Sequence, residues 1–99
     1  MALKGNAVKE VTSGSPNTIS VAGTSTSVIG ANENRNGLEI VNSSSSNIWL
    51  GLGKAAKANE GIYLSPSGSW DGKIGLVAWD GEVTAIATTA SSPLTVIEV

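Results

Sequence analysis

The acid–base candidates in this 99-residue sequence are Asp71, Asp80 and six glutamates; histidine and cysteine are absent. Few side chains therefore titrate near neutral pH. Asp71 and Asp80 sit in two similar tripeptides nine residues apart, Trp70-Asp71-Gly72 and Trp79-Asp80-Gly81. Asp before Gly is turn chemistry, because the short carboxylate bonds its own backbone. Both are read as turn residues rather than as an acid and a base. A glycosidase would need two carboxylates across a cleft, and so short a chain leaves little room for one. Without Cys or His there is no disulfide, no thiolate nucleophile, no Cys/His zinc site and no such haem ligation. Gly51-Leu52-Gly53-Lys54 has the glycines and lysine of a phosphate loop. It lacks the spacing and the Ser or Thr after the lysine, and no long helix follows. The Asn and Asp residues do not match a calcium-binding loop. The expectation is a protein that is not an enzyme and takes no metal or cofactor.

Binding chemistry is better represented. Trp49, Trp70 and Trp79 are candidates for a subunit interface or for stacking on a ligand, since an indole face suits both tight packing and a sugar ring. Arg35 offers five donors in a fixed fork. It is expected to lock a loop to Glu33, Glu39 or a neighbouring subunit, or else to be a solvated turn charge. The six Lys and Arg form no basic stripe and the net charge is −2, so nucleic acid is not an expected partner. No run approaches membrane-spanning length, and no apolar h-region follows Met1.

The elements that must position these residues are strands. Val, Ile and Thr are abundant, and β-branched side chains suit a pleated surface. Residues 1–15 read as an N-terminal arm or short leader strand, with Val8–Thr12 broken by Ser13-Gly14-Ser15-Pro16-Asn17. Residues 16–99 read as one all-β domain. Alternation marks strands at 18–22, 25–31, 38–42, 48–52, 62–64, 73–79, 82–88 and 94–99. Leu38 and Ile40 share one face, as do Ile48, Leu50 and Leu52, which leaves Trp49 facing the other way. Strands 38–42 and 48–52 are expected to pair as a hairpin across a flexible Ser43–Asn47 loop. Asp80-Gly81 is expected to turn a second hairpin. One helical turn is expected at 54–59, ending at Gly61. About eight short antiparallel strands at regular spacing make a small β-sandwich or barrel, with jelly-roll and immunoglobulin-like orders both open. Folding would hide only about 64% of the surface of so small a chain, so a partner subunit would add much.

Four stretches carry a family resemblance: Ala31–Asn42 (Ala-Asn-Glu-Asn-Arg-Asn-Gly-Leu-Glu-Ile-Val-Asn), Ile48–Gly53 (Ile-Trp-Leu-Gly-Leu-Gly), Gly61–Leu64, and the ending Thr84–Ala87 with Leu94–Glu98. Together they resemble a group of small tailed-bacteriophage virion proteins, which occur as capsid decoration or head-fibre proteins. Similar modules appear in other virion parts. The resemblance spans about residues 24–99 and carries no catalytic set. It implies an all-β fold, a homotrimer, and attachment to the major capsid protein. The place would be the outer surface of the phage head, after synthesis in the host cytoplasm. On this resemblance the expected function is a capsid decoration (cement) protein that stabilises the shell. The alternative is a receptor- or carbohydrate-binding module of a fibre or baseplate. Residues 1–23 lie largely outside the match. An attachment arm is expected there, with Leu3, Lys4, Val8 and Lys9 as candidate capsid contacts. No membrane partner is expected.

Overall fold

A computed structural model describes residues 14–99. Ten strands follow one another: β1 (Pro16–Val21), β2 (Thr26–Ile29), β3 (Leu38–Asn42), β4 (Ile48–Leu52), β5 (Ile62–Leu64), β6 (Ser69–Trp70), β7 (Lys73–Ile74), β8 (Val77–Ala78), β9 (Val83–Ala87) and β10 (Ser92–Glu98). One sheet has the order β1-β10-β3-β6 and the other β2-β9-β4-β5, while β7 and β8 pair only with each other. Every pairing is antiparallel. From β1 the chain crosses between the sheets at each connection up to β4, stays in one sheet for β4–β5, then crosses again. That interleaving of two four-stranded sheets is a jelly roll, two Greek keys folded onto each other. It is a sandwich and not a closed barrel, and its strand order is not immunoglobulin-like.

The core lies between the sheets. Val21, Leu38, Ile40, Leu94 and Val96 from the first sheet meet Val28, Ile48, Leu50, Leu64, Val83, Ala85 and Ala87 from the second in one buried cluster. The alternation Leu38-Glu39-Ile40 delivers this directly, because period two sends Leu38 and Ile40 inward. The first polar side chain beyond them, Asn42, is fully buried. Its Nδ2 donates to the carbonyls of Ser46 (2.7 Å) and Leu64 (2.9 Å), and its Oδ1 accepts from the Ser44 amide (3.0 Å) and hydroxyl (2.7 Å).

Four expectations are corrected. Strands β3 and β4 do not form a hairpin. They lie in different sheets, and Ser43–Asn47 is a crossover wound around Asn42. The stretch 73–79 is not one strand. It folds back at Gly75-Leu76, where only the glycine has positive φ, +65°, the signature of a type II′ hairpin turn. Asp80-Gly81 therefore links β8 to β9 and does not turn a hairpin. Finally, 54–59 contains no helical turn. A tight turn closes instead from the Lys57 carbonyl to the Glu60 amide at 3.2 Å, followed by Gly61 at φ +88°. Six residues are too few to carry a helix without packing support.

Candidate interaction surface

With Ile48 and Leu50 buried, Trp49 must face away from the core. It is flanked across the sheet by Tyr63 on β5 and Ile86 on β9. These three half-buried or exposed side chains make a row across the outer face of the second sheet. The Trp49 and Tyr63 rings sit 5.6 Å apart at 38°, a tilted aromatic pair. Tyr63 is 51% exposed, and its hydroxyl donates to Asn47 Oδ1 at 2.8 Å, which fixes the ring's outer end.

The next row on this face, Gly51 beside Thr84, is covered. The segment 53–58 folds over it. Thr84 Oγ1 donates to the Lys54 carbonyl at 2.7 Å, and the Ala56 amide donates to Ser25 Oγ at 2.9 Å. Gly51 permits this approach, since a Cβ there would lie 2.5 Å from Thr84 Oγ1 and 2.9 Å from the Lys54 carbonyl. One half of the outer face is thus roofed by the chain, and the other half presents the apolar row.

Trp70 and Trp79 have a different job. Both rings pack against the core. Each indole N–H donates to the carbonyl three residues on, Trp70 to Lys73 and Trp79 to Glu82, both at 3.0 Å. The nine-residue echo is therefore one local device used twice, once on each side of the β7–β8 hairpin. Asp71 plays its turn role by accepting from the Lys73 amide at 3.3 Å. The three tryptophans do not share one surface: Trp49 faces outward, while the other two brace the hairpin.

Arg35 is 1% exposed. Its Nε donates to Glu98 Oε2 at 2.7 Å, Nη1 to the carbonyls of Trp79 (2.9 Å) and Gly81 (3.1 Å), and Nη2 to that of Gly30 (2.7 Å). It ties the β2–β3 crossover to the β8–β9 link and the last strand, so its fork is spent inside the protomer. Burial works to raise the Glu98 carboxyl, but hydrogen bonds from Arg35 and Asn32 and the Arg35 charge outweigh it and hold it below its ordinary value.

No family model, curated protein or solved structure matches this chain. Among the described residues no three His, Cys, Asp or Glu side chains gather as a metal site would need. The candidate arm residues Leu3, Lys4, Val8 and Lys9 lie outside the described residues. Two features had no counterpart in the sequence reading. One is the hairpin tip, where Leu76 is 98% exposed, Val77 70% and Ile74 50%. The other is a pocket of about 190 Å³ between β4, β5 and the 53–61 segment. The signal for the tip was Gly75 within an otherwise apolar run, a backbone position that invites a turn.

Proposed function

We propose that this chain is a structural protein of a bacteriophage virion, a decoration protein that binds the outer surface of the head and stabilises the shell. In this reading its partner is the major capsid protein, it acts as a homotrimer, and it is made in the host cytoplasm. The observation that carries the proposal is the Tyr63–Trp49–Ile86 row, a partly exposed, largely apolar strip on a sheet face whose other half is roofed. Aromatic side chains held on a rigid strand are the usual anchors of protein interfaces. The resemblance of residues 24–99 to phage virion proteins supplies the identity of the partner. Fold alone does not supply it, since jelly rolls serve many roles.

The mechanism is linkage. A protein that binds the assembled shell and not its dissociated subunits stabilises the shell by mass action. A trimer spanning several capsid subunits gains further through effective concentration. The test is to mix the purified protein with heads lacking it, pellet them and count bound copies. Saturation at a stoichiometry set by the shell's symmetry, with a raised shell melting temperature, is expected.

A second reading draws on the same row. An indole beside a phenol on a flat face is also the chemistry that stacks on a sugar ring, as a receptor- or carbohydrate-binding module of a fibre or baseplate would need. Absence of head binding together with glycan binding that is lost in Trp49→Ala would select it.

A further inference from the structure

The β7–β8 hairpin ends in an apolar tip that none of the described residues covers. Leu76 is almost wholly exposed, and Ile74 and Val77 are cross-strand partners beside it. Three or four consecutive exposed apolar residues are a liability unless they have a use. The tip is also held in place. Trp70 donates to the Lys73 carbonyl at the start of the hairpin, and the Trp79 amide donates to the Gly72 carbonyl at 2.8 Å across its base. A side chain presented on a braced stalk loses little freedom on docking.

The second unpartnered feature is the pocket between β4, β5 and the 53–61 segment. Leu52, Ala55 and Ile62 contribute its apolar lining, and Lys54, Lys57 and Glu60 also line it. At about 190 Å³ it falls below the roughly 300–1,000 Å³ of small-molecule sites. It suits one aliphatic side chain. Two lysines and one glutamate, Lys54, Lys57 and Glu60, line the pocket, and the hairpin carries Asp71 and Lys73 near its base, so each charge on the hairpin has an opposite charge at the pocket to meet. In a single copy the tip stays exposed and the pocket stays open, so neither fills the other within the protomer.

The geometry points to a second copy of this chain as the occupant: Leu76 of one protomer seats in the pocket of the next. The contact is heterologous, a knob on one element against a hole on another, and repeated contacts of this kind close into a ring when the rotation allows. Each protomer then gives one tip and receives one. The inference rests on the proposal that the chain is an assembling subunit, but its test uses no heads. A chain that assembles through this contact and ignores heads would overturn decoration alone.

The test is sedimentation of the full chain and two variants, Leu76→Asp and Ala55→Trp, the second filling the pocket. Both positions are exposed, and circular dichroism should show each variant folded. The wild type is expected to form a concentration-dependent oligomer, and each variant alone to sediment as a monomer. Mixed in equal amounts, the two variants should form a 1:1 dimer, because the first keeps a pocket and the second keeps a tip. A wild-type monomer at the highest concentration reached would overturn the inference, as would variants that assemble like the wild type. Wild-type binding to phosphatidylcholine–phosphatidylglycerol vesicles that Leu76→Asp abolishes, without oligomers, would assign the tip to a lipid surface instead.

Discussion

Arg35 and Glu98 are 63 residues apart in the chain and 2.7 Å apart in the fold. Their pairing joins a crossover loop to the end of the last strand, with three backbone carbonyls satisfying more of the guanidinium. An ion pair with one partner buried and the other partly exposed is weak evidence for net stabilisation, but removing the carboxylate is costly because the buried Arg35 charge is left without its counterpart.

Glu98→Gln is therefore expected to lower the unfolding free energy by about 1–3 kcal/mol, read by urea titration at neutral pH. Folding holds the Glu98 carboxyl below its ordinary value. The stabilisation is therefore full above the unfolded carboxyl's pKa, about 4.3, and is lost as pH falls through the lower folded value. The gap between wild type and variant should shrink as the pH drops through that window. A gap that stays constant down to strongly acid pH would refute the linkage.

Two glycines with similar positive φ should respond very differently to alanine. A Cβ at Gly72 (φ +74°) would lie 2.6 Å from both Leu38 Cβ and the Leu38 carbonyl oxygen, whereas one at Gly75 (φ +65°) meets nothing within 4 Å. Gly75→Ala then costs only the positive-φ backbone, roughly 1–3 kcal/mol. Gly72→Ala adds a clash with β3 and should cost about 2–5 kcal/mol in all. Equal melting temperatures for the two variants would count against this packing.

Trp49 and Trp79 separate function from stability. Trp79→Ala removes a ring packed on the core and an indole hydrogen bond. A loss of about 2–4 kcal/mol is expected by chemical denaturation. Trp49→Ala removes an outward ring and should leave the melting curve nearly unchanged. It should weaken binding to heads by about 30-fold, as loss of an interfacial anchor does. Full head binding by a folded Trp49→Ala protein would remove the row from the interface.

Among the described residues, all pairings of both sheets fall within residues 16–98. Deleting residues 1–15 should leave the circular dichroism spectrum and cooperative unfolding intact, while weakening attachment to heads. An unfolded product would show that those residues belong to the folding unit.

Local pattern was legible in the sequence and nonlocal order was not. Strands β3, β4 and β5 have the bounds that alternation predicts, because Leu38, Ile40, Ile48 and Leu50 each need one buried face. The outward direction of Trp49 follows from the same period. Which strands become neighbours is another matter. A serine loop reads equally well as a hairpin or as a crossover, and only the burial of Asn42 against Ser46 and Leu64 decides between them. The run Lys73–Trp79 looked continuous because a single glycine is a weak break, yet Gly75 turns it. Arg35 was recognisable as a fork in need of acceptors. Apart from the nearby Gly30 carbonyl, its acceptors at Trp79, Gly81 and Glu98 come from segments far along the chain, and no spacing rule reaches that distance.

The place of β10 has a consequence in time. It lies between β1 and β3, so the first sheet has no middle until the stretch 92–98 has been made. A chain still emerging from the ribosome holds β1 and β3 apart with their ladder edges unpaired, and the core they share with the second sheet stays open. Acquisition of structure is then a single late event with a long-range closure step, which is intrinsically slow. Chains arrested before residue 92 are expected to be cut by protease throughout their length.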